Sequence, residues 1–492
     1  MTKKQDKAEK LYEGITEIRS NIIEQAEHYT FRKPNHKKKK YLYGAIAAAL
    51  AFLLLYNAFF TSYHKNLTSV YAISEAQYPK MASFPEESSF LLSHGTLDEE
   101  AFSKAYHEWR EDVDAQNRKI SNRAELETFF TKSTETFLKN DSETDSNPVY
   151  SPVNLYMALS MLAELTGGNS QKQILQLLST DHVETLRKQA SDVWNSSYQN
   201  DGATSSILAN SIWMNQDIKF QKDTLEILKN NYYTSSYQGK MGSAKFNKAL
   251  SEWLNTQTGG LLKEQAEQIE LNPETILSLA STVYFRSKWS NQFSEEDTKE
   301  AIFHTLSKDV TTDFMNDSGI DTYYWSDNFS AISKGLESNG SMWFILPDEG
   351  ISTNTLLEDS QFISMILNPN EYKNQQSAII NCSIPKFDIT SQIELSAGLK
   401  QLGVTDIFDP AISDFTSLTK DSNSIALTKA QHDTRVAIDE EGVTAAAYTS
   451  LIFDGAGCPD KEINFVADRP FIFAITTKNN LPLFVGIVNH PD

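Results

Sequence analysis

A serine, histidine or cysteine becomes a catalyst only when a base, an acid or a metal partner stands at a workable spacing. Ser417-Leu418-Thr419-Lys420 sets a hydroxyl three residues before an amine, the S-x-x-K spacing of serine acyl transferases. Its companions are missing: there is no K-T-G, and no S-x-N at a sensible distance downstream. A four-residue match of this kind arises by chance, so an anchored cell-wall acyl transferase using Ser417 is the weakest reading. The nine histidines show no metal-ligand spacing. G-x-S-x-G, H-E-x-x-H, Walker A and dinucleotide fingerprints are all absent. No metal, cofactor or small-molecule substrate is implied, and the chain does not read as an enzyme.

The other stretch of unusual chemistry is passive. Glu440–Asp460 reads EEGVTAAAYTSLIFDGAGCPD, with no charge between Glu441 and Asp454 and no proline before Pro459. Small and β-capable residues make a poor surface loop and a good strand. Val443, Ala445, Ala447 and Thr449 alternate toward one face, and Tyr448 points to the other. A segment that starts as a loop yet can pair as a central strand is a candidate switch. The plainer reading is a buried strand and turn. Of the two cysteines, Cys382 lies in an apolar run and is expected in the core. Cys458 falls in the loop, where Asp454 and Asp460 give its thiol no help in ionising. So few cysteines exclude a disulfide framework.

The elements that must hold this stretch fall into an α+β order. Ala124–Lys139 has helical spacing. Ser151-Pro152 opens a second helix, with Ser as cap and Pro in the first turn. SSILANSIWMN, Ile276–Trp289, SMWFILP and Ala378–Phe387 are apolar runs of strand length, and DTLEILKNNYY and LSEWLNTQTGGLLKE are helical. The last three runs, INFVA, PFIFAIT and PLFVGIV, are expected to fold back antiparallel on one another.

At 492 residues, 40% of them hydrophobic, the chain can bury a sizeable core, and a net charge of −21 argues against nucleic acid as a partner. That charge is uneven: residues 1–40 carry net +5. Tyr41–Phe60 is uncharged over 20 residues, long enough to span a bilayer, and Lys37–Lys40 precede it. The positive flank stays on the cytoplasmic side. The expected organisation is a cytoplasmic tail (1–40), an uncleaved single-pass anchor (41–61), an extracellular stalk or linker (62–122) and a main domain (123–492). Within the third segment Phe102, Tyr106, Trp109 and Val113 share one helical face. A stalk, a short coiled coil and a helix docked on the main domain all fit that face.

Several blocks recur in a familiar order: SPVNLYMALSMLAELTGG, TVYFRSKW, WFILPDEG, SIPKFDIT, LGVTDIFDPAISDFTSLT, the EEG-initiated Ala-rich run and NFVADRPFIFAI. Over about residues 123–492 the chain resembles the serpin family. The resemblance implies a mostly antiparallel central sheet, further sheets, surrounding helices and an exposed reactive-centre loop. It also implies a suicide-substrate inhibitor. A serine protease attacks the loop and forms an acyl-enzyme, and the cut loop inserts as a new strand before water can release the protease. A non-inhibitory member, acting as a binding module or chaperone, is the alternative.

Carried over residue by residue, the hinge is Glu440, Glu441, Gly442, Val443, Thr444, Ala445, Ala446 and Ala447. Val443 and Thr444 depart from the usual Thr and Glu, and Tyr448 is large. The bait bond falls at Ala456-Gly457. A small residue before the bond suits an elastase-like or subtilisin-like target. Ser151, Asn154, Ser281 and His432 match a buried polar cluster where the sheet opens, with Asn and Ser exchanged at 154 and 281. Trp289, Lys386 and Glu440 match the point where the loop enters, the last two as an ion pair. A monomer is expected, attached to the membrane only by its N-terminal helix.

Overall fold

A computed structural model describes residues 67–492 apart from 93–94, 117–119, 121–122, 140–144, 338–339, 360, 421–424, 429, 444–460 and 492. Leu67–Asp492 forms one compact unit. The anchor at 41–61, the tail before it, the bait bond Ala456-Gly457, hinge residues Thr444–Ala447, and Cys458 all lie outside the described residues. Among those described, no helix is long and apolar enough to cross a membrane.

In chain order the elements begin with β1 (Ala72–Ser74), α1 (Glu99–Gln116), α2 (Arg123–Leu138), β2 (Val149–Tyr150), α3 (Pro152–Leu165), α4 (Gly168–Leu177) and α5 (Val183–Ser197). There follow β3 (Gln199–Asn200), β4 (Ser205–Asn215), α6 (Lys222–Tyr232), β5 (Thr234–Gly239), α7 (Ala244–Gln257), α8 (Lys263–Glu267) and β6 (Leu277–Lys288). The chain then turns to strands: β7 (Lys299–His304), β8 (Asp309–Trp325), β9 (Phe329–Gly335), β10 (Ser341–Pro347), β11 (Gln375–Pro385) and β12 (Phe387–Glu394). After these come β13 (Gln431–Ile438), β14 (Gly442–Val443), β15 (Glu462–Val466), β16 (Phe471–Thr476) and β17 (Pro482–Val488).

Two sheets result. The first runs β1-β5-β4-β6-β14-β13-β12, with β3 paired to β4; the second runs β15-β11-β8-β9-β10-β16-β17-β2, with β7 paired to β8. Among the described strands of the first sheet, only β4 and β5 are parallel. Helix α3 carries the core between the sheets. All but one of its residues are buried, which its nearly uninterrupted apolar sequence requires. Ser151 caps it through Oγ, which accepts from the N–H of Asn154 at 3.1 Å.

Two expectations need correction. INFVA does not fold back on its sequence neighbour: β15 lies parallel to β11, at the far end of the second sheet from β16 and β17. Strand partners are set by the whole sheet rather than by the short turn between two apolar runs. The segment expected as a stalk or linker also packs on the domain. β1 adds a strand beside β5, with Ala72 opposite Tyr237. Further on, α1 buries Trp109 and Val113. Its apolar face is too large to leave in water, and a ready hydrogen-bond acceptor meets the indole.

Candidate functional site at the opening of the central sheet

The described part of the stretch expected to be the hinge is a tight turn followed by two strand residues. Asp439 Oδ1 accepts from the N–H groups of Glu441 (3.0 Å) and Gly442 (3.1 Å), and the Asp439 N–H donates to Gly442 O at 3.1 Å. That geometry aims Gly442 and Val443 between β6 and β13. Val443 pairs with Ser287 on one side and Ile438 on the other, and Gly442 pairs with Lys288. The approach at Gly442 is close. A Cβ there would lie 2.5 Å from Ser287 O and 2.7 Å from Lys288 Cα, so only glycine fits.

Trp289 locks the turn. It is fully buried; its indole N–H donates to Asp439 O at 2.8 Å, and its backbone N–H donates to Glu441 O at 3.1 Å. The N–H of Phe293 holds Glu440 O at 3.1 Å. Glu440 is 9% exposed. Its carboxylate receives Lys386 Nζ at 3.1 Å and the Thr298 hydroxyl at 2.7 Å. Burial works against the Glu440 charge, but hydrogen bonds from Thr298, its own backbone N–H and Lys386 outweigh it. The carboxyl is held below its ordinary value.

Lower down, a polar cluster sits between α3 and the strands. His432 faces inward on β13, in a strand whose burial alternates strictly. Its Nε2 accepts from the Ser151 N–H at 2.9 Å. Burial alone pulls its pKa down to about 4, so the ring is neutral and serves as an acceptor. Asn154 donates to Ser281 O at 3.1 Å, and the Ser281 hydroxyl contacts Asn154 Oδ1 and donates to Asn210 Oδ1 at 2.6 Å. The exchanged Asn and Ser therefore meet across the interface. Asn210 is a member that sequence reasoning misses. A lone Asn inside SSILANSIWMN is the only hint, and it needs a buried partner to be meaningful. Thr298 and Asp439 carry no sequence signal at all.

The five residues at the sheet opening or its polar cluster that join distant parts of the chain (Trp289, Lys386, Glu440, Ser151 and His432) are brought to the two ends of one gap. Below Val443 no described strand lies between β6 and β13: Leu277–Arg286 pairs only with β4, and Gln431–Ala437 only with β12. The gap is lined by Ser151, Asn154, Leu261, Leu262, Val283 and His432. Leu277, Leu279 and Val283 are only half-buried, unlike residues of a covered central strand. Gln431–Ala437, the wall of this slot on β13, sets its length at roughly 20 Å, at about 3.3 Å per residue. Ser417 lies elsewhere and donates its hydroxyl to Thr166 O at 3.0 Å. Its proton is thus committed to a backbone carbonyl.

The family model described as serpin (serine protease inhibitor) matches residues 126–491. The chain belongs to the serpin family. Among curated relatives, Serpin-ZX of Arabidopsis thaliana is 26% identical over 363 residues, 70% of this chain and 93% of that protein. Alpha-1-antitrypsin 1-2 of Mus musculus is 28% identical over 358 residues, 70% of this chain and 84% of its own. Of solved structures, the native state of the thermophilic serpin tengpin is 25% identical, with TM-score 0.67, covering 76% of this chain and 96% of tengpin. Human thyroxine-binding globulin complexed with thyroxine is 20% identical, with TM-score 0.64, covering 75% of this chain and 100% of its own; that likeness concerns the fold alone.

Proposed function

We propose that this serpin is a membrane-anchored suicide-substrate inhibitor of elastase-like or subtilisin-like serine proteases. The observation that carries the reading is the slot between β6 and β13, with Gly442 and Val443 already seated at its upper end. Among the described residues, Leu277–Arg286 and Gln431–Ala437 have no ladder partner on the side of that slot, so a strand entering it would gain that pairing. The protease serine adds to the carbonyl of Ala456. The Ala456–Gly457 C–N bond breaks, the new amine leaves with the proton relayed by the protease's histidine, and an ester joins Ala456 to the enzyme. Thr444–Ala447 then extend the two seated residues into the slot as a strand. Inhibition is a race between that insertion and hydrolysis of the ester. The uncharged run 41–60 after Lys37–Lys40 supports an anchor with the inhibitor outside the cell. Digestion of intact cells by an added protease tests that orientation.

The deciding experiment incubates the full chain, in detergent, with pancreatic elastase and with subtilisin. A complex stable to denaturation, with a peptide beginning at Gly457, is the expected result. Loop cleavage with no complex and no gain in thermal stability moves the assignment to a non-inhibitory serpin that acts as a binding module.

A further inference from the structure

Helix α1 touches the body of the protein at few points, and two of them lie on different sheets. At one, the Trp109 indole donates to Asp201 Oδ2 at 2.8 Å; both residues are buried. Asp201 turns the hairpin between β3 and β4. Its Oδ1 accepts from the N–H groups of Ala203 (3.1 Å) and Thr204 (2.8 Å), and Gln199 also donates to Oδ2 at 2.8 Å. Thr204 Oγ1 lies 3.3 Å from Ser287 Oγ, and Ser287 is the residue that pairs with Val443. At the other point, Asp114 pairs with Lys478 in the turn between β16 and β17. Between the two contacts α1 crosses a cleft lined by Val113, Tyr198, Ser206, Phe285, Lys478 and Leu483.

We propose that α1 is a brace across the two sheets. In it Trp109, acting through Asp201, positions the upper end of β6 and keeps the slot beside it one strand wide. The inference rests on the loop-insertion reading for its purpose, but not for its geometry. The strands β1, β5, β4 and β6 are hydrogen-bonded together on one side of the slot, whereas the β16–β17 turn belongs to the other sheet. Without a tie between them, the facing backbone groups of Leu277–Arg286 and Gln431–Ala437 gain by closing onto each other. A closed slot delays the hinge, and the acyl-enzyme is then lost to water. Trp109 and Asp201 are therefore positioning residues for insertion, and they lie outside the hinge itself.

The test compares the full chain with Trp109→Phe, Lys478→Ala and the double variant. It uses hydrogen exchange across 277–286 and 431–437, together with the stoichiometry of elastase inhibition. Fast exchange is expected in the parent. Either single variant should slow it about tenfold or more and raise the stoichiometry, and the double variant should add nothing, because a brace fails when either end is freed. A merely structural contact gives the opposite sign, faster exchange in Trp109→Phe. That result, or slow exchange in the parent, overturns the brace. Should Trp109→Phe not fold, Lys478→Ala, at a half-buried surface position, decides alone. If the parent traps no protease, the function proposed above fails, and the exchange data still settle the geometry.

Discussion

Replacing Gly442 by alanine tests the coupling of hinge to sheet most directly. The added methyl would lie 2.5 Å from the carbonyl oxygen of Ser287 and 2.7 Å from Lys288 Cα. Both are main-chain atoms of β6, and β6 is laddered to β4 from Ser205–Arg286 downward. Neither can retreat without disturbing that ladder. Overpacking against such a wall costs about 1–3 kcal/mol, which is about five- to 150-fold in a rate. The cost falls on the seated hinge and leaves the protease's attack on the distant bait bond untouched. Gly442→Ala should therefore be cut at the parental rate but yield less covalent complex, with stoichiometry rising as deacylation wins the race. At Gly319 an added Cβ would meet nothing within 4 Å, so Gly319→Ala serves as the silent control. The assay is a titration of elastase followed by denaturing gels and the melting temperature of the cut product. Unchanged stoichiometry in Gly442→Ala would refute the reasoning outright.

Further outcomes follow from the same contacts. Lys386→Ala strands a nearly buried Glu440 that retains Thr298 and its own N–H; since Lys386 is itself about one-third exposed, a loss of about 1–2 kcal/mol is expected in chemical denaturation. Ser281→Ala removes the hydroxyl between Asn154 and Asn210 and should cost about 1–3 kcal/mol, read from the same denaturation curves. For His432, the unfolded chain takes up a proton below about 6.5, while the folded ring, buried, does so only near 4. Between these values the unfolded state binds more protons, so this contribution is complete above pH 6.5 and is lost as pH falls toward 4, by about 3 kcal/mol. Glu337 works in the opposite sense: burial raises its carboxyl to about 7, so it disfavours the fold increasingly as pH rises from 4.5 to 7. The His432 part is isolated by comparing the parent with His432→Asn, in which the loss across pH 6.5 to 4 should disappear.

Much of the architecture was legible because it is local. SSILANSIWMN and SMWFILP coincide with β4 and β10, since an apolar run of strand length with turn residues at its ends has few other solutions. The Ser151-Pro152 cap was readable for the same reason. The placement of β15 was not, because nothing in INFVA distinguishes β11 from β16 as a neighbour. Nor was the docking of α1. Its aromatic face was visible, but the acceptor on Asp201 that makes docking the favoured outcome lies 92 residues away. At the sheet opening, family resemblance supplied Trp289, Lys386 and Glu440, whereas Asn210 and Thr298 emerge only once strands are laid side by side.

The far placement of β15 has a consequence for the cut protein. Beyond the proposed bait bond, the chain supplies β15, β16 and β17. Every residue of β16 and β17 is buried, and these strands are laced to β10 and β2, while β15 is laced to β11. A single scission therefore converts one polypeptide into a tightly held heterodimer, whose small subunit has no route out short of global unfolding. Tail and body would co-purify indefinitely under native conditions, and the wound would show only when the whole molecule is taken apart.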